Sequence, residues 1–212
     1  KALIVHDNPL DAFNKLILSY RRFEPATAMI GPKAEIGEGT IIEPGAFVGD
    51  RVKIGKNCII HANVTIYNHV VIGDNVIIQS GSVIGGDACY FQRRPEGFIK
   101  FESCGRVIIE DDVEIGACCC VDIGVTSDTI VGKGTKMDNH VQIGHDAKLG
   151  KNCFLGAHAS VGGVTIVKDN VSIWSMAAVN KDLVIAEGTT VLAYLQFAEG
   201  FVLRSANVRA HV

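Results

Sequence analysis

The sequence lacks a long apolar run, although 48% of its 212 residues are hydrophobic and its mean hydropathy is positive. A helix needs about 18 or more consecutive apolar residues to cross a bilayer, and no stretch of this sequence reaches that length. The opening residues 1–7 are too few for the apolar region of a signal peptide. We therefore expect no membrane span, and an apolar core inside a soluble, cytoplasmic protein.

An excess of positive charge is also missing. Lysine and arginine number 20 against 23 acidic residues, the formal net charge is −3, and both signs are scattered along the chain. A surface that binds nucleic acid is normally basic on one face. We expect no nucleic-acid partner.

Paired cysteine motifs are absent as well. The seven cysteines are an odd number, none forms a CxxC pair, and three are consecutive at positions 118–120. This spacing suits neither a disulfide framework nor a zinc site. We interpret the cysteines as small apolar residues of a protein in the reducing cytoplasm, and we expect no bound metal.

A strict period of six residues dominates what is present. From Ile30 to Ile84 every sixth residue is isoleucine or valine, and a small or apolar residue recurs four positions after each. The period resumes from Ile109 to Val121 and again from Val131 to Val191. Amphipathic helices repeat at 3.6 residues and antiparallel strands at two, so neither explains it. The pattern predicts an all-β fold, a parallel β-helix of hexapeptide repeats, and proteins with this repeat are left-handed.

The repeat also predicts how the chain is divided. Three hexads make one coil, so residues 18 apart should stack at about 4.8 Å, giving about eight coils. We assign 30–195 to the β-helix, with inserted loops at 85–106 and 122–130, 1–29 to an N-terminal cap, and 196–212 to a C-terminal tail. Asn8-Pro9 predicts the start of a helix in the cap. An apolar stripe of this helix is expected in the core: Leu10, Phe13, Leu16, Ile17 and Tyr20.

The stacking rule singles out one histidine. His145 holds the third position of its hexad, where side chains point outward, and the residue one coil later is Gly163. A glycine beside an imidazole leaves a backbone N–H unshielded, so the pair could supply a general base and an oxyanion donor for acyl transfer. His140 lies five residues before His145, a spacing similar to two zinc ligands of γ-class carbonic anhydrases. Because positions 104 and 109 are not histidine, a zinc site is not expected.

The two breaks in the period are where a binding site could lie, since a smooth solenoid has no cleft of its own. The longer insertion carries Tyr90, Phe91, Phe98 and Phe101 among basic residues. These aromatic side chains either pack against the protein or line a groove for an apolar ligand, and the sequence leaves both interpretations open.

Several motifs in a fixed order carry a family resemblance. They occupy residues 84–91, 105–117, 121–124, 128–132 and 137–145. Together they resemble the UDP-3-O-(3-hydroxyacyl)glucosamine N-acyltransferases of lipid A biosynthesis, over about residues 30–190. The cap resembles the end of that family's uridine-binding domain. The resemblance implies a homotrimer with sites between subunits, no bound cofactor, and the phosphopantetheine thioester of acyl carrier protein as donor to the amine of a UDP-amino sugar.

The resemblance also assigns residues. It implies that His145 is the general base, Gly163 the backbone oxyanion donor and Asp138 a partner that orients the imidazole. No cysteine nucleophile is required, because the amine attacks the thioester directly. Residues expected to contact substrate are Asp87, Tyr90, Phe91, Asp122, Asn139, Gln142 and His158.

Three departures from the family pattern keep alternatives open. Ile123 replaces an arginine, Asp182 stands where the family has a second histidine, and the family's helical C-terminal extension is not recognisable after Phe197. The chain could therefore acylate a different nucleotide-linked amino sugar. It could also be a sugar acetyltransferase that uses acetyl-CoA, or a β-helix without catalytic activity that serves as a scaffold.

Overall fold

The computed structural model describes residues 5–197, with one helix followed by a long coil of short strands. Helix α1 spans Pro9–Tyr20; Asn8 caps its N-terminus, with its side chain accepting from the Asp11 N–H. The predicted helix start is thus confirmed. The predicted stripe is only partly buried, because Leu10 alone is buried, while Leu16 and Tyr20 are 50% and 82% exposed. No helix in the described part of the chain is long and apolar enough to cross a membrane.

Most of the strands are only two residues long, as expected when one hexad contributes one short face. In chain order they are β1 (Glu35–Ile36), β2 (Ile41–Ile42), β3 (Phe47–Val48), β4 (Lys53–Ile54), β5 (Ile59–Ile60), β6 (Thr65–Ile66), β7 (Val71–Ile72), β8 (Ile77–Ile78), β9 (Val83–Gly86), β10 (Phe91–Arg94), β11 (Gly97–Lys100), β12 (Val107–Ile109), β13 (Glu114–Ile115), β14 (Cys120–Asp122), β15 (Thr129–Val131), β16 (Lys136–Met137), β17 (Gln142–Ile143), β18 (Lys148–Leu149), β19 (Phe154–Leu155), β20 (Ser160–Val161), β21 (Ile166–Val167), β22 (Ser172–Ile173), β23 (Ala178–Val179), β24 (Val184–Ile185), β25 (Thr190–Val191) and β26 (Gln196–Phe197).

These strands form three parallel sheets of eight strands each, plus one antiparallel hairpin made by β10 and β11. The first sheet contains β1, β4, β7, β12, β15, β18, β21 and β24; the second β2, β5, β8, β13, β16, β19, β22 and β25; the third β3, β6, β9, β14, β17, β20, β23 and β26. The chain visits the three sheets in turn. The predicted parallel β-helix is confirmed, and β26 extends it two residues beyond the predicted end at 195. Residues 198–212 of the predicted tail lie outside the described residues.

Register follows the repeat where the repeat is unbroken. Lys148 pairs with Ile166, 18 residues later, whereas Val83 pairs with Cys120 across the long insertion. The insertion therefore leaves the coil and returns to it without changing the inward positions. From Val48 onward, the aliphatic residues at the first hexad position are buried in one continuous core, which includes Ile60, Ile78, Ile115 and Ile143.

The turns between sheets share one backbone feature. At the fourth hexad position the chain adopts a positive φ, and asparagine, aspartate, histidine or glycine usually stands there, as at Asn57 (φ 55°) and His140 (φ 61°). These residue types enter the left-handed region at the lowest cost. We name the turns from the second to the third sheet the second edge, and those from the third to the first sheet the third edge.

Adjacent isoleucines on β5 provide a test of this core. Ile60 is fully buried, whereas the neighbouring Ile59 is only partly buried. Ile60→Ala should lower the free energy of unfolding by about 2–5 kcal/mol, because it leaves a cavity that a rigid solenoid cannot fill. The matched variant Ile59→Ala should lower the free energy of unfolding by only a fraction of that amount. Chemical denaturation followed by circular dichroism compares the two, and equal losses would contradict the inward assignment.

Candidate active site

Both insertions and His145 lie on the third edge. The long insertion joins β9 to β12, the short one joins β14 to β15, and His145 lies in the turn between β17 and β18. Since each of these connections runs from the third sheet to the first, stacking brings them together. The third edge is therefore the part of the solenoid where both loops meet a titratable side chain.

His145 is held by the carboxylate that follows it in the chain. Its Nδ1 lies 2.8 Å from Oδ2 of Asp146, and Asp146 is only 6% exposed. A carboxylate only accepts hydrogen bonds, so Nδ1 carries the proton and Nε2 is left with a free lone pair. That is the tautomer that a general base requires.

Asp146 is in turn fixed by the short insertion. Its two oxygens accept hydrogen bonds from the backbone N–H groups of Val125, Thr126 and Ser127, and its own N–H donates to Oγ1 of Thr129. Burial alone would raise the pKa of Asp146, but the bonds from His145 and from the three N–H groups outweigh it and hold the pKa below its usual value. The carboxylate is therefore ionised at neutral pH.

The structure thus gives His145 a different partner from the predicted one. Asp138 lies on the second edge, exposed, and its Oδ1 accepts the N–H of Asn139. Within one chain the carboxylate that contacts the imidazole is that of Asp146, and a role for Asp138 stays a prediction. The sequence places Asp146 directly after His145, but only the fold of the short insertion turns its side chain inward.

Gly163 lies beside the imidazole, as the stacking rule predicts. A Cβ built on Gly163 would lie 2.6 Å from Nε2 of His145, so any other residue at this position would displace the ring. At corresponding turns the third-position N–H often donates to a side chain of a neighbouring coil, as Lys151 does to Asp169. The N–H of Gly163 has no acceptor within residues 5–197. The residue one coil later is Lys181, and its side chain has no acceptor atom that could cap this N–H.

The long insertion contributes an aromatic wall to the same edge. The ring centroid of Tyr90 lies 4.9 Å from that of His145 and 5.3 Å from that of Phe101, which in turn lies 5.0 Å from Phe13 of α1. Arg94 of the hairpin pairs with Asp11 of α1 at 3.0 Å. Helix α1 therefore braces the insertion that packs against His145, a contact that the sequence did not predict.

An open cavity of about 1010 Å³ lies between α1 and the hairpin. Its lining includes Phe13, Tyr90, Phe91, Phe101 and Thr126, so it reaches from α1 to the loop that holds Asp146. Phe91 and Phe98 are exposed, whereas Phe101 is packed. Packing is therefore shown for Phe101, whereas contact of the exposed aromatic residues with an apolar ligand stays a prediction.

The other predicted contact residues divide into two groups. Asp122 and Gln142 lie close to His145, with Asp122 half-buried at the end of β14. Asp87 is engaged by Lys100 and by Oγ of Ser103.

Two further residues predicted to contact substrate lie on the second edge, away from His145 of the same chain. Oδ1 of Asn139 accepts the N–H of Ala117 at 2.7 Å, and the His158 ring stacks on that of His140 at 4.6 Å. Their contact with substrate stays a prediction.

The comparisons with known proteins agree with this architecture. The bacterial transferase hexapeptide family (six repeats) matches residues 51–86 and 128–163. A UDP-3-O-acylglucosamine N-acyltransferase from Methylobacterium sp. (strain 4-46) is 41% identical over 111 residues, which are 52% of this chain and 32% of that protein. One from Rhizobium johnstonii is 45% identical over 84 residues, 40% of this chain and 24% of the relative.

Among solved structures, a UDP-N-acetylglucosamine acyltransferase from Bacteroides fragilis superposes with a TM-score of 0.57 at 26% identity, covering 82% of this chain and 70% of that one. The chain is thus similar to hexapeptide-repeat acyltransferases in its repeats, its motifs and its fold. The resemblance noted from the motifs is thereby confirmed. The chain spans between about a quarter and a third of the length of the N-acyltransferases named above.

The Asp146 network makes a testable contribution to stability. Asp146→Asn should lower the free energy of unfolding by about 2 kcal/mol at pH 7, because an amide cannot accept from all of these donors. Since the folded-state pKa of Asp146 is lowered, its stabilisation is present above its unfolded pKa, about 4, and is lost as the pH falls through the lower folded value.

The difference in the free energy of unfolding between wild type and Asp146→Asn should therefore become smaller below about pH 4. Urea denaturation from pH 7 to pH 3 measures this difference. Asp111→Asn, on a solvent-facing turn, serves as the control and should change stability by less than about 0.5 kcal/mol. A difference that is independent of pH would contradict the ionised network.

Proposed function

We propose that this protein is an N-acyltransferase that moves a 3-hydroxyacyl group from acyl carrier protein to the amine of a UDP-linked amino sugar, in the pathway to lipid A. The observation that carries the proposal is the His145–Asp146 pair lying against Gly163 on the edge where both insertions meet. The similarity to UDP-3-O-acylglucosamine N-acyltransferases supports an amino-sugar acceptor.

The geometry suits direct attack on a thioester. The acceptor nitrogen forms a bond to the carbonyl carbon while Nε2 of His145 takes the proton that the nitrogen must lose. The carbonyl oxygen becomes an oxyanion, and the N–H of Gly163 donates to it, a contribution of about 3 kcal/mol for one such donor. When the tetrahedral adduct collapses, the C–S bond breaks and His145 returns its proton to the departing thiolate.

Asp146 contributes by acting on the base. Its negative charge stabilises the imidazolium that exists while His145 holds the proton, and its hydrogen bond keeps Nε2 directed at the reacting atoms. Thiol chemistry is not required. All seven cysteines are free, and burial raises the pKa of Cys119 to about 11, so this thiol is protonated at neutral pH.

The surroundings of the edge support the donor and the assembly that we propose. Beside Gly144 the outer face of the third sheet forms a shallow groove of about 250 Å³, with Ser160, Gly162 and Ala178 among its small lining residues. Small side chains allow a second copy of the chain to approach closely, and we propose a homotrimer in which a neighbouring subunit closes the groove around the acyl chain. Free thiols fit a cytoplasmic enzyme.

The test is acyl transfer from 3-hydroxyacyl carrier protein to a UDP-amino sugar, followed by mass spectrometry. His145→Ala should lower kcat by about 10²–10⁴-fold, because the base is lost. Gly163→Ala should also lower kcat, since its methyl group would displace Nε2.

His61→Ala is the matched control, because His61 lies on the second edge and pairs with Glu43. It should leave kcat within about twofold of wild type. Unchanged transfer in His145→Ala would exclude the assigned base. Transfer from acetyl-CoA but not from acyl carrier protein would show that the proposed acyl donor is wrong. An absence of transfer from any acyl donor would favour the interpretation of the chain as a scaffold without catalytic activity.

A further inference from the structure

A third carboxylate, that of Asp122, stands half-buried on the third edge beside His145. Asp122 ends β14, and after a register shift its Cα partner is Gly86 of β9. On the opposite side Val121 pairs with Ile143, so Asp122 lies alongside Gly144. Both flanking positions are therefore glycines, and the side chain that reaches the carboxylate from the next coil is that of Gln142.

The other two carboxylates of the site already have partners. Asp146 is bound by His145 and by three backbone N–H groups, and Asp87 is bound by Lys100 and Ser103. Asp122 differs, because no lysine or arginine of the described residues pairs with it. The site thus contains one carboxylate without a counter-ion.

The environment of Asp122 makes the missing counter-ion significant. Burial raises the pKa of Asp122, a hydrogen bond from Gln142 and the positive charge that His145 carries when protonated lower this pKa, and the nearby Asp87 raises it. A half-buried carboxylate without a charged partner is stabilised when a cation binds next to it. The surroundings of Asp122 are therefore suited to a cationic group of the substrate.

The proposed acceptor carries such a group. A sugar amine in water near neutral pH exists partly as an ammonium ion, which is a cation but not a nucleophile. We propose that Asp122 binds the acceptor's ammonium group and removes its first proton, so that Asp122 sets the preference of the site for an amine over a hydroxyl. This inference rests on the proposed N-acyl transfer and adds the group that recognises the acceptor.

The protons balance in two steps. The ammonium gives one proton to the Asp122 carboxylate and becomes a neutral amine, whose nitrogen then bonds to the thioester carbon. The second proton passes from that nitrogen to Nε2 of His145 and onward to the thiolate that leaves. Asp122 releases its proton to water when the amide product departs.

Binding of the nucleotide sugar, measured in the absence of an acyl donor, separates the role of Asp122 in recognition from its role in catalysis. Calorimetry with UDP-glucosamine and UDP-glucose compares ligands in which an ammonium replaces a hydroxyl. Asp122→Asn should weaken binding of UDP-glucosamine by about 10-fold or more and leave UDP-glucose within about twofold, because only the former loses a charge-assisted contact. Asp122→Glu should retain part of the preference, and Asp111→Asn, remote from the edge, should retain all of it.

A pH profile adds a readout that a purely structural role would not move. In Asp122→Asn the deficit in kcat/KM should shrink by about 10-fold between pH 7 and pH 9, because the free amine then forms without help from the protein. Equal weakening of both nucleotide sugars, or a deficit that is constant with pH, would overturn the inference. If wild type acylates no amino sugar at all, the proposed function itself fails, which is a different result.

Discussion

One constraint governs this molecule: each coil must bury an aliphatic side chain on each of its three faces. A two-residue strand has almost no stability alone, and it persists because its inward isoleucine or valine stacks on those of the coils before and after it. The period of six, the 18-residue register and the left-handed turns all follow from that requirement. So does the rigidity of the third edge, where the turns are held between strands on both sides.

Function depends on the places where the constraint is relaxed. The chain leaves the coil between β9 and β12 and between β14 and β15, always on the third edge. The short departure wraps its backbone N–H groups around Asp146, and the long one places Tyr90 against the imidazole. The solenoid thus holds the imidazole of His145 beside Gly163, while the insertions supply the contacts around the imidazole and its carboxylate partner.

The sequence predicts the fold well because its signal is local and repeated many times. The same period predicts that His145 and Gly163 are neighbours, since stacking depends only on the residue count. Asp146 could not be identified as the partner, because its fourth-position side chain turns inward only when the short insertion provides donors. The contact of Phe13 with Phe101 joins segments that no periodicity relates, and the exposure of Tyr20 depends on where α1 rests on the insertion. These features belong to irregular segments, where packing decides and pattern does not.

The unbonded N–H of Gly163 has a broader meaning for this architecture. At many turns the same N–H is capped by a side chain of an adjacent coil, such as Asn68 for Asp50 or Asp169 for Lys151. Within the described part of the chain, the donor at the candidate site is thus left free by the lack of a capping side chain, without the addition of a new group. Other turns hold an equivalent backbone N–H beneath a capping side chain. Shortening that side chain would free the N–H to bind a ligand, while the buried core of the solenoid stays unchanged.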